Sequence, residues 1–323
     1  METNSLLRIS DLVVDYHIGK SFVRALDNVS LDFSASGESV GLVGESGSGK
    51  TTFAMSILNL IEPPGRIVSG KVEYKGQNVL TMSKSHLMKY RWGEVSMIYQ
   101  SAMDSLNPVK QVSQPIIEVI RKHKKASKKE AKERALQGLQ DVGIPLNRAN
   151  AYPHELSGGM RQRVVIALAL ALSPRLLIAD EPTSALDVVT QRQILDLIKR
   201  QIAERGLSLI FITHEMSLLN GLVEQIAVMY RGEIVEKGRA WEVLTNPKHP
   251  YTEILIASLL TSNSKLRPFE TRVNPPGESA AVSGSNYCKF VNRCKYAFDR
   301  CRKERPLLKE TSGGNLVACH KYT

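Results

Sequence analysis

The sequence predicts an α/β fold built on a mainly parallel sheet. Short apolar strands alternate with helices between residues 39 and 213, which is typical of parallel strands connected by helices. A glycine-rich segment separates the first of these strands from the first helix. The strand patterns that precede it, from residue 6, predict an antiparallel β subdomain at the N-terminus.

Each element is predicted from a short apolar run and from the residues that bound it. Gly19-Lys20 marks a turn between the first strands, Pro63-Pro64 ends the first helix, and Gly206 ends a later one. The predicted strands are Leu12–Val14, Val29–Phe33, Ser39–Val43, Val72–Tyr74, Val95–Tyr99, Leu176–Ala179 and Leu207–Ile212. The predicted helices are 50–60, 112–124, 128–142, 161–172, 190–204, 241–244 and 251–260.

Two regions depart from the strand–helix alternation. Residues 101–165 contain predicted helices only, which indicates a helical subdomain inserted into the α/β core. Beyond Gly238 the pattern weakens, and residues 262–287, with Pro275-Pro276-Gly277, predict a linker. We therefore expect a main domain over 1–245, with the helical insertion at about 101–165, and a C-terminal extension over 246–323.

The chain is basic and has no segment suited to span a membrane. Lys and Arg number 43 against 32 Asp and Glu, a net charge of +11, which suits nucleic acid, anionic membrane surfaces or phosphate ligands. Arg121–Arg134 alone has eight basic and two acidic residues (8 − 2 = +6), either a solvated helix face or a contact for lipid headgroups or a partner. The apolar run Val164–Leu172 is far shorter than the roughly 20 residues of a membrane helix. With no secretory signal at the N-terminus, we expect a cytosolic protein, peripheral to a membrane.

The glycine-rich segment fits the phosphate-binding pattern G-x-x-x-x-G-K-[ST]. Its glycines let backbone N–H groups approach phosphate oxygens, and the helix that follows adds its positive end. Lys50 is the expected charge for the β- and γ-phosphates, and Thr51 the expected hydroxyl ligand of Mg²⁺. This loop predicts a P-loop NTPase core, with ATP bound by Gly44, Ser46, Gly47, Ser48, Gly49, Lys50, Thr51 and Thr52.

Two carboxylates end the predicted strand Leu176–Ala179. Charged side chains directly after a buried apolar strand cost free energy unless they have a partner. The upstream phosphate loop provides one, because it is expected to bind phosphates together with Mg²⁺. We expect Asp180 to hold Mg²⁺ and Glu181 to orient and deprotonate the attacking water. The alternative is that Asp180 only caps the turn at Pro182.

Leu156-Ser157-Gly158-Gly159-Met160 places a second anion-binding helix N-terminus in the chain. With this segment the sequence resembles the nucleotide-binding subunits of ABC transporters over about residues 6–262, LSGGM standing where that family usually has LSGGQ. The resemblance implies that two such subunits enclose two ATP molecules, each held by one phosphate loop and by the partner's Ser157, Gly158 and Gly159.

Further positions match the family's motifs in order. Gln100 matches the residue that touches Mg²⁺ and relays to the permease, Asp187 lies in the loop that crosses the dimer, and His214 matches the histidine that contacts the γ-phosphate. Tyr16 resembles the aromatic residue that stacks on adenine, with Phe22 as a rival. Because Glu181 and His214 are both present, we expect a hydrolytically competent subunit.

All four cysteines lie near the C-terminus, with the spacing C-x5-C-x6-C-x17-C. Clustered cysteines in a cytosolic chain favour metal over disulfides, and the candidates are an iron–sulfur cluster, Zn²⁺ or plain buried thiols. Asn246–Thr252 and this tail resemble the oligopeptide/dipeptide branch of the family, which also includes nickel importers. That resemblance favours a [4Fe–4S] cluster on Cys288, Cys294, Cys301 and Cys319, although Tyr287 and Asn292 depart from the branch's usual pattern.

The resemblance implies an ATPase that powers uptake of dipeptides or oligopeptides. Its expected partners are two membrane permease subunits, a second related ATPase in a heterodimer rather than a homodimer, and an extracytoplasmic peptide-binding protein. The alternatives are nickel or another small solute as cargo, a soluble ABC ATPase acting on nucleic acid, and a regulator that binds ATP without turnover. No nucleic acid is expected, because the chain lacks a long coiled-coil insertion.

Overall fold

The computed structural model describes residues 5–19, 21–33, 37–261, 286–311 and 313–322. The predicted linker 262–287 lies almost wholly outside the described residues, as does Lys20 of the predicted turn. The strands are β1 (Leu7–Ile18), β2 (Ser21–Phe33), β3 (Ser39–Val43), β4 (Gly65–Tyr74), β5 (Gln77–Asn78), β6 (Val95–Ile98), β7 (Leu176–Asp180), β8 (Ser208–Thr213), β9 (Gln225–Tyr230), β10 (Glu233–Arg239), β11 (Lys309–Glu310) and β12 (Leu316–Val317). The helices are α1 (Lys50–Ile57), α2 (Lys84–Gly93), α3 (Ser113–Lys124), α4 (Lys128–Asp141), α5 (Gly158–Leu170), α6 (Val188–Arg205), α7 (Ala240–Thr245), α8 (Pro250–Thr261) and α9 (Asp299–Lys303).

The chain forms two compact units, of which the first contains Met1–Ser34, Ser39–Leu80 and Ile212–Thr323. Its N-terminal sheet has the order β2-β1-β4-β5 and is antiparallel throughout, as predicted. In the same unit β3 pairs with β9 in parallel, and β10, β12 and β11 extend that sheet by antiparallel pairing. The tail strands β11 and β12 therefore belong to the same sheet as β3.

The second unit contains Ala35–Glu38 and Thr81–Phe211. Its strands β6 and β7 are parallel, with Val95 opposite Leu176 and Ile98 opposite Ala179. Both strands are buried along their whole length, as expected of a parallel sheet covered on two faces. The α/β core with a mainly parallel sheet is thus confirmed in β3, β9, β6 and β7.

The predicted helical insertion corresponds to α3, α4 and the start of α5. α3 buries Ile116, Ile117 and Ile120, one face of an amphipathic helix, whereas the basic residues of Arg121–Arg134 are exposed. Ser127 caps α4 by accepting a hydrogen bond from the Glu130 amide at 3.2 Å. The basic residues are therefore exposed in the single chain, and the choice between a solvated helix face and a contact for lipid headgroups or a partner stays open.

Several boundaries differ from the prediction for local physical reasons. α5 begins at Gly158 rather than 161, because Ser157 accepts a hydrogen bond from the Met160 amide and so caps the helix earlier. β9, β10 and α2 were not predicted. β9 is a short, continuously apolar run, and hydrophobic periodicity does not distinguish such a run from a helix. α2 has no continuous helical pattern, because its backbone is non-helical at Arg91 and Trp92. The domain boundary at residue 245 stays a prediction.

Candidate functional site

The phosphate loop, Gly44–Thr51, connects β3 to α1 in the first unit. Lys50 begins α1, and its buried ammonium group donates hydrogen bonds to the carbonyl oxygens of Gly44 (2.7 Å) and Glu45 (2.9 Å). Thr51, the predicted Mg²⁺ ligand, is exposed, as is Ser46. The loop therefore folds around the lysine side chain and has Ser46 and Thr51 at its surface.

Three glycines of the loop are required by the backbone. Gly47 and Gly49 have φ angles of 76° and 106°, in the left-handed region that favours glycine. A Cβ at Gly44 would collide with the carbonyl oxygen of Met229, and one at Gly49 would lie 2.5 Å from that of Ala25. The sequence explained these glycines by phosphate approach, and the structure adds that neighbouring strands leave no room for a side chain at Gly44 and Gly49.

Glu45, in the same loop, was not singled out from the sequence. Its amide donates a hydrogen bond to the Tyr251 hydroxyl at 2.8 Å, and its carboxylate accepts two from the Arg293 guanidinium, both at 2.8 Å. Tyr251 belongs to α8, and Arg293 lies in the cysteine tail. The sequence analysis singled out the segments that contain Tyr251 and Arg293, namely Asn246–Thr252 and the cysteine tail. Nothing in the sequence, however, indicated that these segments contact the phosphate loop.

The other predicted residues of the first unit are Tyr16, Phe22 and His214. Tyr16 lies in β1 opposite Gly65 of β4, where a Cβ would be 2.8 Å from the tyrosine ring. The Phe22 ring is 6.1 Å from the His17 ring, and both candidate aromatic side chains are half-buried. His214 follows β8 and is half exposed, with Nε2 3.8 Å from Glu215. The choice between Tyr16 and Phe22 as the adenine partner stays a prediction.

The second unit brings Gln100 and Glu181 together. Because β6 and β7 are parallel, their carboxyl ends lie at the same edge of the sheet, and Gln100 follows one strand as Glu181 follows the other. The Gln100 Nε2 donates a hydrogen bond to a Glu181 carboxylate oxygen at 3.3 Å. Asp180 ends β7 and is 1% exposed. This edge is where ligands bind in open α/β sheets.

Glu181 also has a strained backbone. Its φ angle is 46°, in the left-handed region that non-glycine residues rarely adopt. Such conformations cost on the order of 1–3 kcal/mol and cluster at functional sites, where the surrounding structure enforces them. The strain turns the chain directly after the buried Asp180, so that the two neighbouring carboxylates differ in burial.

The segment Ser157–Gly159 contacts the start of α6. A Cβ on Gly159 would lie 2.5 Å from the methyl group of Thr190, so this position must be glycine for packing as well as for any ligand. The Thr190 hydroxyl in turn donates a hydrogen bond to the Asp187 carboxylate at 2.7 Å. The same carboxylate caps α6, because it accepts hydrogen bonds from the amides of Val189 and Thr190. These hydrogen bonds, that of the Thr190 amide foremost, hold the pKa of Asp187 below its usual value. The two segments predicted to face a partner subunit are thus adjacent in one subunit.

The four cysteines of the tail line one enclosed cavity, together with His249, Phe290 and His320. All four are free thiols, and the Cys288 amide donates to the Cys301 carbonyl oxygen at 3.0 Å. Burial, with the other three thiols adding to it, raises the pKa of Cys288 to about 12. Among the described residues, however, no group of three or more His, Cys, Asp or Glu side chains is placed to hold a metal ion. The structure therefore gathers the thiols without showing the predicted metal.

Comparisons with known proteins agree with this geometry. The chain matches the family described as "ABC transporter" over residues 26–184, and the "Oligopeptide/dipeptide transporter, C-terminal region" over residues 235–301. It is 40% identical to the dipeptide transport ATP-binding protein DppD of Escherichia coli strain K12 over 319 residues, 98% of this chain and 96% of that protein. It is 43% identical to the oligopeptide transport ATP-binding protein OppD of Bacillus subtilis strain 168 over 298 residues, 89% of this chain and 83% of that one.

The chain belongs to the ABC transporter family, in the branch of these transport ATP-binding proteins. Among solved structures, it resembles the dimeric ATP-binding cassette MJ0796 in a post-hydrolysis state with ADP and phosphate, at a TM-score of 0.65 and 29% identity over 72% of this chain and 98% of that one. This ABC subunit is accordingly a transport ATPase with a P-loop NTPase core. None of its described helices combines the length and the apolar character needed to cross a bilayer.

Proposed function

We propose that this ABC subunit hydrolyses ATP to power the uptake of dipeptides or oligopeptides. The observation that carries the proposal is its similarity to dipeptide transport ATP-binding proteins over 98% of the chain, the tail included. In this proposal the subunit works at the cytoplasmic face of the membrane. It acts with two permease subunits, a second related ATPase in a heterodimer, and an extracytoplasmic peptide-binding protein.

The phosphates of ATP are received by Gly44–Thr52, with Lys50 as the charge on the β- and γ-phosphates. Two features of the chain support a paired arrangement. The N-terminus of α1 follows the phosphate loop, and the N-terminus of α5 carries Ser157–Gly159, so each subunit has two anion-binding helix ends. One ATP per subunit uses both ends only if two subunits face each other in opposite directions.

Hydrolysis is assigned to Glu181, with Gln100 and His214 assisting. Glu181 accepts a hydrogen bond from Gln100, which restricts the carboxylate that takes the proton from water. Mg²⁺, which neutralises charge that develops on the phosphates, would be held by Thr51, Gln100 and Asp180. Asp180 is placed for this role at the carboxyl end of β7, directly before Glu181.

The experiment that tests the proposal measures ATP turnover by the assembled transporter with Glu181→Gln. Loss of a general base predicts a fall of about 10²–10⁴-fold, with ATP binding retained. Glu204→Gln, an exposed carboxylate of α6, is the matched control and should leave turnover unchanged. Unchanged turnover in Glu181→Gln would contradict the catalytic assignment, and stimulation of turnover by nickel but not by peptide would contradict the cargo.

We also propose that Cys288, Cys294, Cys301 and Cys319 hold a [4Fe–4S] cluster. Four thiols around one enclosed cavity supply the donor set that such a cluster takes. A single Zn²⁺ ion is the alternative for the same four thiols.

The test of the tail is a metal analysis of the chain purified without oxygen. Iron and acid-labile sulfide at about four each per chain, with a visible absorption band, would support the cluster. One zinc per chain without iron would instead assign a structural zinc site. No metal at all would contradict both assignments and leave four plain thiols.

A further inference from the structure

One residue of the cysteine tail touches the phosphate loop directly. The guanidinium of Arg293 donates from both terminal nitrogens to the two carboxylate oxygens of Glu45, each at 2.8 Å. This fork geometry is the one in which Arg binds carboxylates most strongly and with a defined orientation. The tail and the loop are 248 residues apart in sequence, so only the fold brings them together.

Arg293 is held in place by a cluster of aromatic side chains. Its guanidinium carbon lies 5.7 Å from the ring centre of Tyr230, 6.0 Å from that of Tyr251 and 5.6 Å from that of Phe290. These rings contact one another, at centroid distances of 4.6–5.6 Å. Arg293 is therefore packed against three rings and is only 30% exposed. An exposed ion pair loses side-chain entropy when it forms, whereas the rings already restrict the Arg293 side chain.

Glu45 is fixed from three sides. Its carboxylate is bound by Arg293, its amide donates to the buried Tyr251 hydroxyl, and its carbonyl oxygen accepts from Lys50 at 2.9 Å. Lys50 is the residue assigned to the phosphates of ATP. Arg293 and Lys50 are thus connected through Glu45, whose carboxylate binds Arg293 and whose carbonyl oxygen binds Lys50.

We propose that Arg293 is a positioning residue for the phosphate loop. By its paired hydrogen bonds to Glu45, it holds the loop in the shape that receives ATP and couples the C-terminal tail to nucleotide binding. The inference rests on the proposal that Gly44–Thr51 binds ATP phosphates.

Two of the cysteines bound the turn that carries Arg293. Arg293 lies in the turn between Cys288 and Cys294, where the Val291 amide donates to the Cys288 carbonyl and the Arg293 amide to the Phe290 carbonyl, both at 3.0 Å. Whatever orders this turn also orders the arginine. Because coupling between two sites is reciprocal, ATP binding should in turn stabilise the turn by the same factor.

The test compares binding of a fluorescent ATP analogue with Mg²⁺ to the purified full chain and its variants. Arg293→Gln and Glu45→Gln should each raise the dissociation constant about fivefold, a typical effect of removing one partner of a charge-assisted pair. The double variant should be no weaker than either single one, because both remove the same interaction. Arg293→Lys, which keeps the charge but not the fork, should fall between the wild type and Arg293→Gln.

Lys295→Gln is the matched control for Arg293→Gln. Lys295 flanks Cys294 on the other side, is 70% exposed and pairs with Glu253 rather than with the loop. The Lys295→Gln variant should bind the ATP analogue with the same dissociation constant as the wild type. Glu45→Gln keeps the tail sequence intact, so it tests the contact even if Arg293→Gln disorders the tail.

Each outcome has one meaning. Wild-type affinity in Arg293→Gln, or additive losses in the double variant, would overturn the inference. Lys50→Ala, measured alongside, tests the binding site itself. If Lys50→Ala binds the analogue normally, the proposed phosphate site fails; if Lys50→Ala loses binding while Arg293→Gln does not, only the tail coupling fails.

Discussion

The phosphate loop and the cysteine tail differ in how their functional groups are brought together. The loop presents its groups from eight consecutive residues, and its shape follows from glycines and from hydrogen bonds of Lys50 to residues a few positions away. The tail gathers thiols from Cys288 to Cys319, and the cavity between them exists only once the tail has folded. A contiguous site is specified locally, whereas a dispersed one depends on whatever fixes the surrounding chain.

For the tail, that support is a buried charge cluster, which we define as Asp27, Glu233, Lys289 and Arg305. The Lys289 ammonium lies 2.8 Å from the Asp27 carboxylate and 2.9 Å from that of Glu233. The Arg305 guanidinium lies 3.2 Å and 3.0 Å from the same two carboxylates. Both cations come from the tail and both anions from β2 and β10, so charge pairing holds the tail to the sheets of the first unit.

The largest effect should follow from Cys301→Ser. Cys301 is the one thiol of the four that is buried, and a serine hydroxyl replaces a thiolate ligand poorly. We expect bound iron to fall from about four per chain to less than one, measured together with acid-labile sulfide. Asp299→Asn, on the same short helix but exposed, should keep the metal.

The same variant sharpens the contrast between the two regions. If the tail acts on ATP only through Arg293, Cys301→Ser should weaken ATP binding no more than the roughly fivefold expected of Arg293→Gln. A hundredfold loss would show instead that the loop cannot form without the tail, and the distinction between a local and a dispersed site would be wrong.

A smaller but still large effect is expected for Lys50→Ala. Removing the charge assigned to the β- and γ-phosphates should raise the dissociation constant of Mg-ATP about a hundredfold, equivalent to about 2.7 kcal/mol. The thermal unfolding midpoint should stay within a few degrees of the wild type, because the loop's glycines and the buried strand β3 remain. Lys75→Ala, at a turn after β4, is the control and should bind ATP normally. Retained affinity in Lys50→Ala would contradict the assignment of the loop.

The contrast also explains how much of the molecule could be predicted. The phosphate loop and the strand that ends in Asp180 are local patterns, and each lies where the sequence placed it. The contact between Gln100 and Glu181 followed from a parallel sheet, because parallel strands end at the same edge. These features needed only secondary structure and one topological rule.

Other features required contacts that no local pattern encodes. Glu45 occupies a variable position of the loop motif, so only the structure shows that it contacts Arg293 and Tyr251. Asp27 precedes the predicted strand Val29–Phe33 and was not singled out from the sequence, yet it is 3% exposed because two tail cations cover it. Likewise, Gly159 is fixed by Thr190 of another helix, a packing reason that the LSGGM segment alone does not reveal.

The third effect is a change in stability with Asp27→Asn. The substitution leaves Lys289 and Arg305 with half of their buried counter-charge, and breaking such a pair costs about 3 kcal/mol. The free energy of unfolding, measured by denaturant titration, should fall by about that amount. Asp32→Asn in the same strand removes an exposed pair with Arg8 and should cost less than about 1 kcal/mol.

The pH dependence of that difference gives the sharper test. Burial alone would raise the pKa of Asp27, but the hydrogen bond from Lys289 and the charges of Lys289, Arg305 and Arg24 together hold it below its usual value. Burial keeps the pKa of Glu233, the other anion of the cluster, above its usual value, and Glu233 is present in both proteins. A carboxyl whose folded pKa is lowered stabilises the fold above its unfolded pKa, about 3.9, and loses that contribution as the pH falls through the folded value. The stability difference between the wild type and Asp27→Asn should therefore be constant near neutral pH and shrink below about pH 4. A difference that stays constant down to the lowest pH at which the chain is folded would mean that the charge of Asp27 does not hold the tail.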